Sequence, residues 1–449
     1  MSTSGDVSKE ISEADRRILG KVKLYMLAYV LLGQLFYQLC RQNIGFAQLT
    51  MAKDLGLKAE AFGLASGIFA LSGFLMQVPA GVLFEKFRAR RWMTFNMAAW
   101  GLVVIAQGFV ANSTELTILR FMLGIFEAGF LPGVYILISI WFRGKDQGVA
   151  TSFVMVGLGL SAVVGGPFAG WILDKHFLGL SGWRNLFIVE GAVTVLWSFL
   201  ALRILNDDPT TTSWLKPAER AFMAKYLSEY QAEKGRHGAV VTSGIWNALR
   251  DSRILLLIFA YVFAGWTAAT FLFFNPSLLK AAGRGVSNQY VGFLATGPYV
   301  VGAIVSYLWA RHSDRTERHW HCVLPLLVTV AGILLYPVAK ASPVLAMLSL
   351  AMVQAGNVAF FVNFWPSCNL VIGKAAMAKS TALINTGTQV GSLVAPVYFG
   401  WAMDHTGNAN LGLYTCVGVV LLNFAIMNLF FFHYKARQKT LAEALLTET

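Results

Sequence analysis

Long apolar blocks separated by short polar ones run through almost the whole chain. Windows of about nineteen residues pick out twelve such blocks: 24–46, 61–84, 92–110, 116–141, 149–173, 185–205, 254–275, 289–310, 320–339, 343–366, 376–401 and 411–433. Each is about long enough to cross a bilayer as a helix, which needs roughly 20 apolar residues. The connections are short except for 206–250, which divides the blocks into two groups of six. The pattern therefore predicts an all-α membrane protein. Its parts are a cytoplasmic tail at 1–23, a six-helix bundle at 24–205, a cytoplasmic linker at 206–250, a second bundle at 251–434 and a cytoplasmic tail at 435–449. Within the linker, Pro217 to Lys234 spaces apolar residues helically among charges, which predicts an amphipathic helix on the membrane surface.

Composition narrows the class. Of 449 residues 56% are hydrophobic and 13% charged, about half the charge of an ordinary soluble domain. A soluble enzyme, a disordered chain and a secreted disulfide scaffold are excluded. The polar first 23 residues lack the short apolar core of a cleaved signal segment. Cys40, Cys322, Cys368 and Cys416 lie in or beside apolar blocks at no spacing suited to a metal or a disulfide framework. The net charge of +13 is explained by where it falls: with the amino terminus inside, most of the 36 Lys and Arg lie on the cytoplasmic side, as the positive-inside rule requires. No basic cluster with groove-reading or stacking residues stands apart from that pattern, so a nucleic-acid partner is not expected. Asn112-Ser113-Thr114 matches a glycosylation acceptor, but beside a span end it reads as coincidence.

Two loops repeat a pattern. Gly81 to Trp92 reads GVLFEKFRARRW and Ala310 to His321 reads ARHSDRTERHWH. Each places an acid before a base, Glu85-Lys86 and Asp314-Arg315, followed by further bases such as Arg90. At equivalent places in two halves, such charges are candidates for bridging neighbouring helices and gating their separation. His312, His319 and His321 border the second loop without the Cys or acid that a zinc site needs, and read as surface residues.

With these loops, the segments Arg41–Phe69, Arg120–Gly133 (RFMLGIFEAGFLPG), Gly182–Gly191 (GWRNLFIVEG), Asp208–Arg220 and Arg311–His321 resemble the major facilitator superfamily, and within it the anion:cation symporter family that carries tartrate, phthalate, 4-hydroxyphenylacetate and similar anions. The resemblance implies two pseudo-symmetric six-helix bundles, alternating access to a midplane site and a single functional chain. It also implies an Asp before the span-1 Arg. This sequence has Cys40 there, so one coupling acid of the family is missing.

Ionisable residues far from span ends carry the chemistry, because a charge at the centre of a membrane helix costs about 2.5–3.5 kcal/mol on insertion scales. Arg41 has no acid in its span and stands among Tyr37, Gln38 and Asn43, a set suited to gripping a carboxylate through the guanidinium fork. Arg120 and Glu127 are seven residues apart, on one face of span 4. An anion at Arg41 and Arg120 would compete with Glu127 for positive charge and couple loading to protonation. The alternative is a fixed Glu127–arginine pair that only holds the bundle. Glu190 is expected to pair with Arg184. In the second half, polar Asn363, Trp365 and Asn385 are expected to face the ligand, Asn385 through the resemblance of its INTGTQVG segment to the family's span 11.

The function this predicts is import of a small organic anion, a mono- or dicarboxylate that is aromatic or hydroxylated, with protons as co-substrate through Glu127. The setting is the inner (plasma) membrane, with both termini cytoplasmic. A potential-driven uniporter or exchanger, and an anion sensor, remain as alternatives. No phosphate-binding loop, H-E-x-x-H or G-x-S-x-G motif occurs, so neither ATP, a metal, another cofactor nor enzymatic activity is expected.

Overall fold

The computed structural model describes residues 13–143, 145–235, 251–283, 285–313, 318–368 and 377–447. Among these the long elements are all helices, as lipid requires, since backbone groups there find no water and must bond within their own segment. They are α1 (Glu13–Asp54), α2 (Ala59–Gln107), α3 (Ser113–Glu127), α4 (Phe130–Trp141), α5 (Lys145–Leu173), α6 (Gly182–Ile204), α7 (Pro217–Gly235), α8 (Ser252–Ala282), α9 (Asn288–Ser313), α10 (Arg318–Ala339), α11 (Pro343–Cys368), α12 (Met377–Thr406) and α13 (Asn410–Thr447). Ten stretches among the described residues are long and apolar enough to cross a membrane. The two remaining expected spans, 92–110 and 376–401, are supplied by the second part of α2 and by α12.

The loop expected at Gly81–Trp92 is instead helical on both sides of a single break at Arg88, with φ 62° and ψ 163°. Phe84 and Met93, from either side of the break, both reach Gly133, so the two rods lie alongside the same neighbour. Asp207 accepts the Arg90 N–H at 2.8 Å and caps the second rod. A non-glycine residue in this region of φ/ψ costs about 1–3 kcal/mol. α3 and α4 continue one another through Ala128 and Gly129, both of right-handed helical conformation, and together form one span. Asn112 caps α3: its Oδ1 accepts the Glu115 N–H and its Nδ2 donates to Glu115 Oε1, a reciprocal capping arrangement that uses the whole amide.

α1 begins well before the apolar block, because its polar turns find partners on the linker side. Lys21 pairs with Glu219 at 3.0 Å and Lys23 with Asp146 at 2.7 Å. Trp214 stacks on both Tyr25 (4.6 Å) and Trp141 (5.6 Å). Arg143 lies 3.7 Å over the Tyr226 ring, whose hydroxyl donates to Asp146. α7, expected on the membrane surface, is thus docked on the first bundle. The Lys216 N–H and the Lys21 ammonium hold the Glu219 carboxyl below the usual carboxylate range, so its contribution is present above that range and is lost as pH falls through it.

Helix pairings repeat with an offset of six spans. α1 packs on α5 and α6 as α8 packs on α12 and α13, and α3 packs on α2 as α11 packs on α9. The halves meet along α2–α12, α5–α9 and α1–α8. At the face expected outside from the positive-inside pattern, these seams are clasped symmetrically. Asp404 of α12 accepts the first two N–H groups of α2, Ala59 at 3.0 Å and Glu60 at 2.8 Å. Asp174, just past α5, accepts from Asn288 Nδ2 at 2.8 Å and the Gln289 N–H at 3.2 Å, at the start of α9. Ser277 Oγ donates to Gln48 Oε1 at 2.7 Å between α8 and α1. Beneath the second clasp a Cβ on Gly292 would collide with the Gly166 carbonyl, so glycine is what lets α5 and α9 touch. A carboxylate on a helix N-terminus satisfies orphan donors and the positive end of the macrodipole together.

Two outcomes follow. Asp174→Asn combined with Asp404→Asn should weaken outer closure by roughly 0.3–1 kcal/mol per clasp; a cysteine introduced at Ala70 should then react several-fold faster with an impermeant thiol reagent from outside, and an unchanged rate would refute the clasps. Arg88→Gly should raise thermal stability by about 1 kcal/mol through relief of the break, seen as a higher unfolding temperature in detergent.

Candidate functional site

Arg41 and Tyr37 are four residues apart on α1 and so share a face. Arg41 Nη1 donates to Tyr37 Oη at 3.4 Å. Tyr37 is fixed by stacking on Phe130 at 5.4 Å and by edge contact with Trp100. α2 adds Phe69, Ala70, Gly73 and Gln77 at helical spacing. α3 adds Gly124 and Glu127, and the junction after it Ala128; Leu131 and Pro132 of α4, with Asn385 and Gln389 of α12, complete a cavity of about 210 Å³. Both halves of the molecule contribute to its wall.

The charges are arranged around one ring. The guanidinium carbons of Arg41 and Arg120 each lie 5.0 Å from the centroid of Phe69, within the range of a cation–π contact. Arg120 is fully buried and Glu127 is 1% exposed. Arg120 Nε, Nη1 and Nη2, Arg41 Nε and both Glu127 oxygens have no hydrogen-bond partner among the described residues. The three groups are nonetheless within electrostatic reach of one another. Two cations and one acid thus share one buried site.

Gly124 makes this proximity possible. A Cβ there would strike the Phe69 carbonyl and the Ser72 hydroxyl, so only glycine lets α3 bring Arg120 and Glu127 against α2. Small residues at such crossings are the usual means of close helix approach in lipid.

The sequence-predicted residues divide. Arg41, Tyr37, Glu127 and Asn385 line the cavity, whereas Arg120 stacks on Phe69 and does not line it. Gln38 is outside the lining. Asn43 is buried and turned to α6, where its Nδ2 donates to Glu190 Oε2 at 2.8 Å. Glu190 was expected to pair with Arg184; that guanidinium instead donates to the Gly108 carbonyl at 2.8 Å and stacks on Trp183. The reason is helical spacing: six residues place Arg184 and Glu190 on different faces. Asn363 is buried with its Nδ2 donating to the Ala359 carbonyl, and Trp365 meets Tyr261 and Phe364 edge-on. Neither lines the cavity.

Of the proposed gate, Asp314 and Arg315 lie outside the described residues, and so does the Glu85 side chain. Lys86 and Arg90 are exposed, and the Arg90 backbone is engaged by Asp207. His321 is buried, not superficial, with its Nε2 2.7 Å from His312 Nδ1, while His319 meets Asn428 at 2.9 Å. No group of three potential metal ligands occurs among the described residues. Phe69 and Gln77 were not anticipated. Gln77 had a signal, a lone amide inside an apolar block, whereas Phe69 is one of 33 phenylalanines with nothing to distinguish it.

Residues 30–396 and 257–444 match the sequence profile of the Major Facilitator Superfamily. A protein of Agrobacterium vitis assigned provisionally as a tartrate transporter is 34% identical over 92% of this chain and 94% of its own. A quinolone resistance transporter of Acinetobacter baumannii is 30% identical over 93% of this chain and 94% of its own. Among solved structures, a bacterial homolog of the human lysosomal transporter Spinster, inward-facing and unoccupied, superposes with a TM-score of 0.74 at 16% identity, covering 91% of this chain and 97% of that one.

Replacing the α2–α3 contact tests the site's support. Gly124→Ala should destabilise the protein by about 1–3 kcal/mol through overpacking, whereas Gly148→Ala, with open space around its Cβ, should be close to neutral. Equal unfolding temperatures for the two variants would show that the crossing is not tight.

Proposed function

The chain belongs to the Major Facilitator Superfamily and is a multi-pass membrane transport protein for small organic substrates, not an enzyme; on that premise we propose that its cargo is a small organic anion, a mono- or dicarboxylate, imported by alternating access with proton coupling through Glu127. One observation carries this reading: the cavity wall holds Arg41 and a single acid, Glu127, with Arg120 just behind it on the Phe69 ring, and among the described residues none of the three is locked in a hydrogen-bonded ion pair. A site with excess positive charge and low dielectric attracts an anion strongly.

The Arg41 fork takes the carboxylate, held in place by Tyr37 and Phe69. Gln77 from one half and Asn385 and Gln389 from the other supply neutral donors and acceptors that suit hydroxyl or second carboxyl oxygens. A cavity of about 210 Å³ is smaller than the usual site for a drug-sized ligand and favours a compact cargo. The relative assigned to tartrate supports this size and charge. Because contacts come from both halves, a bound anion draws them together, which biases the equilibrium between access states by its differential affinity for them. Arg120 acts through the field it sets at Glu127 and Phe69. Glu127 takes up a proton as the anion occupies the neighbouring positive charge, so the two load together. The protein acts as one chain in the inner (plasma) membrane, with both termini cytoplasmic, the orientation its basic residues favour.

Purified protein screened by thermal shift against carboxylates should be stabilised by its cargo, by about 2.7 kcal/mol at a hundredfold excess over Kd. Arg41→Lys should weaken that affinity by roughly 10–100-fold through loss of charge-assisted hydrogen bonds. Glu127→Gln should keep counterflow of labelled anion and lose proton-driven uptake. Uptake that follows the membrane potential and ignores Glu127 would establish the uniport or exchange reading instead, and binding without accumulation in vesicles would indicate a sensor.

A further inference from the structure

Glu190 is the intramembrane acid for which the cavity has no use. It stands eight residues into α6, 6% exposed, on a different face of α1 from the one that carries Tyr37 and Arg41. Among the described residues its one side-chain hydrogen bond is from Asn43 Nδ2 at 2.8 Å. The groups facing it are neutral. From α1 these are Asn43 and Cys40, the latter 3.4 Å from Thr194 Oγ1, which itself donates to the Glu190 carbonyl. α2 offers Gly101 and Ile105 beside Gly191. Arg184, the nearest cation in its own helix, is engaged at Gly108. No ion pair to Glu190 is present among the described residues.

We propose that Glu190, with Asn43, is a second proton-binding site of the transporter, carrying a proton in the outward-closed state described here and exchanging it as span 1 moves. A carboxylate sealed among neutral groups is strongly disfavoured, whereas the neutral acid is not. Asn43 is the kind of partner such a site needs. A cation would fix the charged form, but an amide donates through Nδ2 equally to a carboxylate or to the carbonyl oxygen of the neutral acid, as in the bond seen here, and, turned over, accepts through Oδ1 from the acid's O–H. Asn43 Oδ1 is buried with no partner among the described residues, so that second use is open to it.

The site is connected to the cavity. Asn43 is two residues beyond Arg41 on the same helix, so a shift of α1 that engages an anion also moves the partner of Glu190. Cys40 lies within electrostatic reach of both Glu190 and Glu127. Protonation at Glu190 is therefore sensitive to the same helix displacement that the anion drives, which makes Asn43 a positioning residue for proton exchange.

The inference rests on the anion-transport reading, and its test keeps the two apart. Infrared spectroscopy of the purified protein in lipid, titrated from mildly acidic to mildly alkaline pH, should show a carboxylic-acid carbonyl band that is lost in Glu190→Gln and shifted in Asn43→Leu. Absence of a band assignable to Glu190 across that range overturns the proposal without reference to any substrate. In vesicles loaded with a pH indicator and given labelled tartrate, Glu190→Gln should retain counterflow while the protons moved per anion fall by about half. An unchanged ratio in a variant that still exchanges tartrate overturns the transport role. Should Glu190→Gln not fold, Asn43→Leu, which keeps the acid, carries both measurements. Wild-type protein that does not exchange tartrate would count against that cargo, and the infrared result would still decide the fate of Glu190.

Discussion

A charge placed in hydrocarbon must be paired, neutralised or given a ligand, and the first bundle is organised around that constraint. Arg41, Arg120 and Glu127 are buried, and no side-chain pairing among the described residues discharges them completely. What moderates their cost is softer: the Phe69 ring within cation–π distance of both guanidinium groups, the Tyr37 hydroxyl near Arg41, and mutual fields across a short gap. Such partial compensation leaves room for a passenger. A fully satisfied ion-pair network would be sturdier, and would have less reason to bind an anion.

The positions of these groups depend on close backbone contact. Gly124 brings α3 onto α2, and Phe69 and Arg120 meet as a consequence. The same device recurs where the halves touch, with Gly166 and Gly292 permitting the α5–α9 contact below the Asp174 clasp. In water, burial of apolar surface would press helices together; in lipid that drive is absent, so shape fit and hydrogen bonds set the geometry. A seam made of a few hydrogen bonds and small residues is also one that can open. The two carboxylate clasps, related by the six-span repeat, suit a molecule whose halves rock against each other.

The polar regions outside the spans serve the same architecture. The linker is held to the first bundle by Trp214 between Tyr25 and Trp141, and by the Lys21–Glu219 pair. This fixes α7 to one half, so the linker does not tie the two halves rigidly at that point. Glu190 and Asn43 couple α6 to α1 behind the cavity wall, giving span 1 two faces with different chemistry, one turned to the anion and one to a buried acid.

The sequence alone determined the spans, their division into two sets of six, and the existence of three costly charges. These are matters of transfer free energy, which adds along a segment and needs no knowledge of neighbours. Cavity membership was another matter. Arg41 and Glu127 reach it, Arg120 is displaced onto Phe69, Asn43 turns to Glu190, and Gln77 enters from a span with no other amide and no charge. Hydropathy does not say which side of a helix meets which partner. Rotation about each axis is set by packing among helices distant in the chain, so only the tertiary structure could decide which polar groups share one space and which are sealed apart.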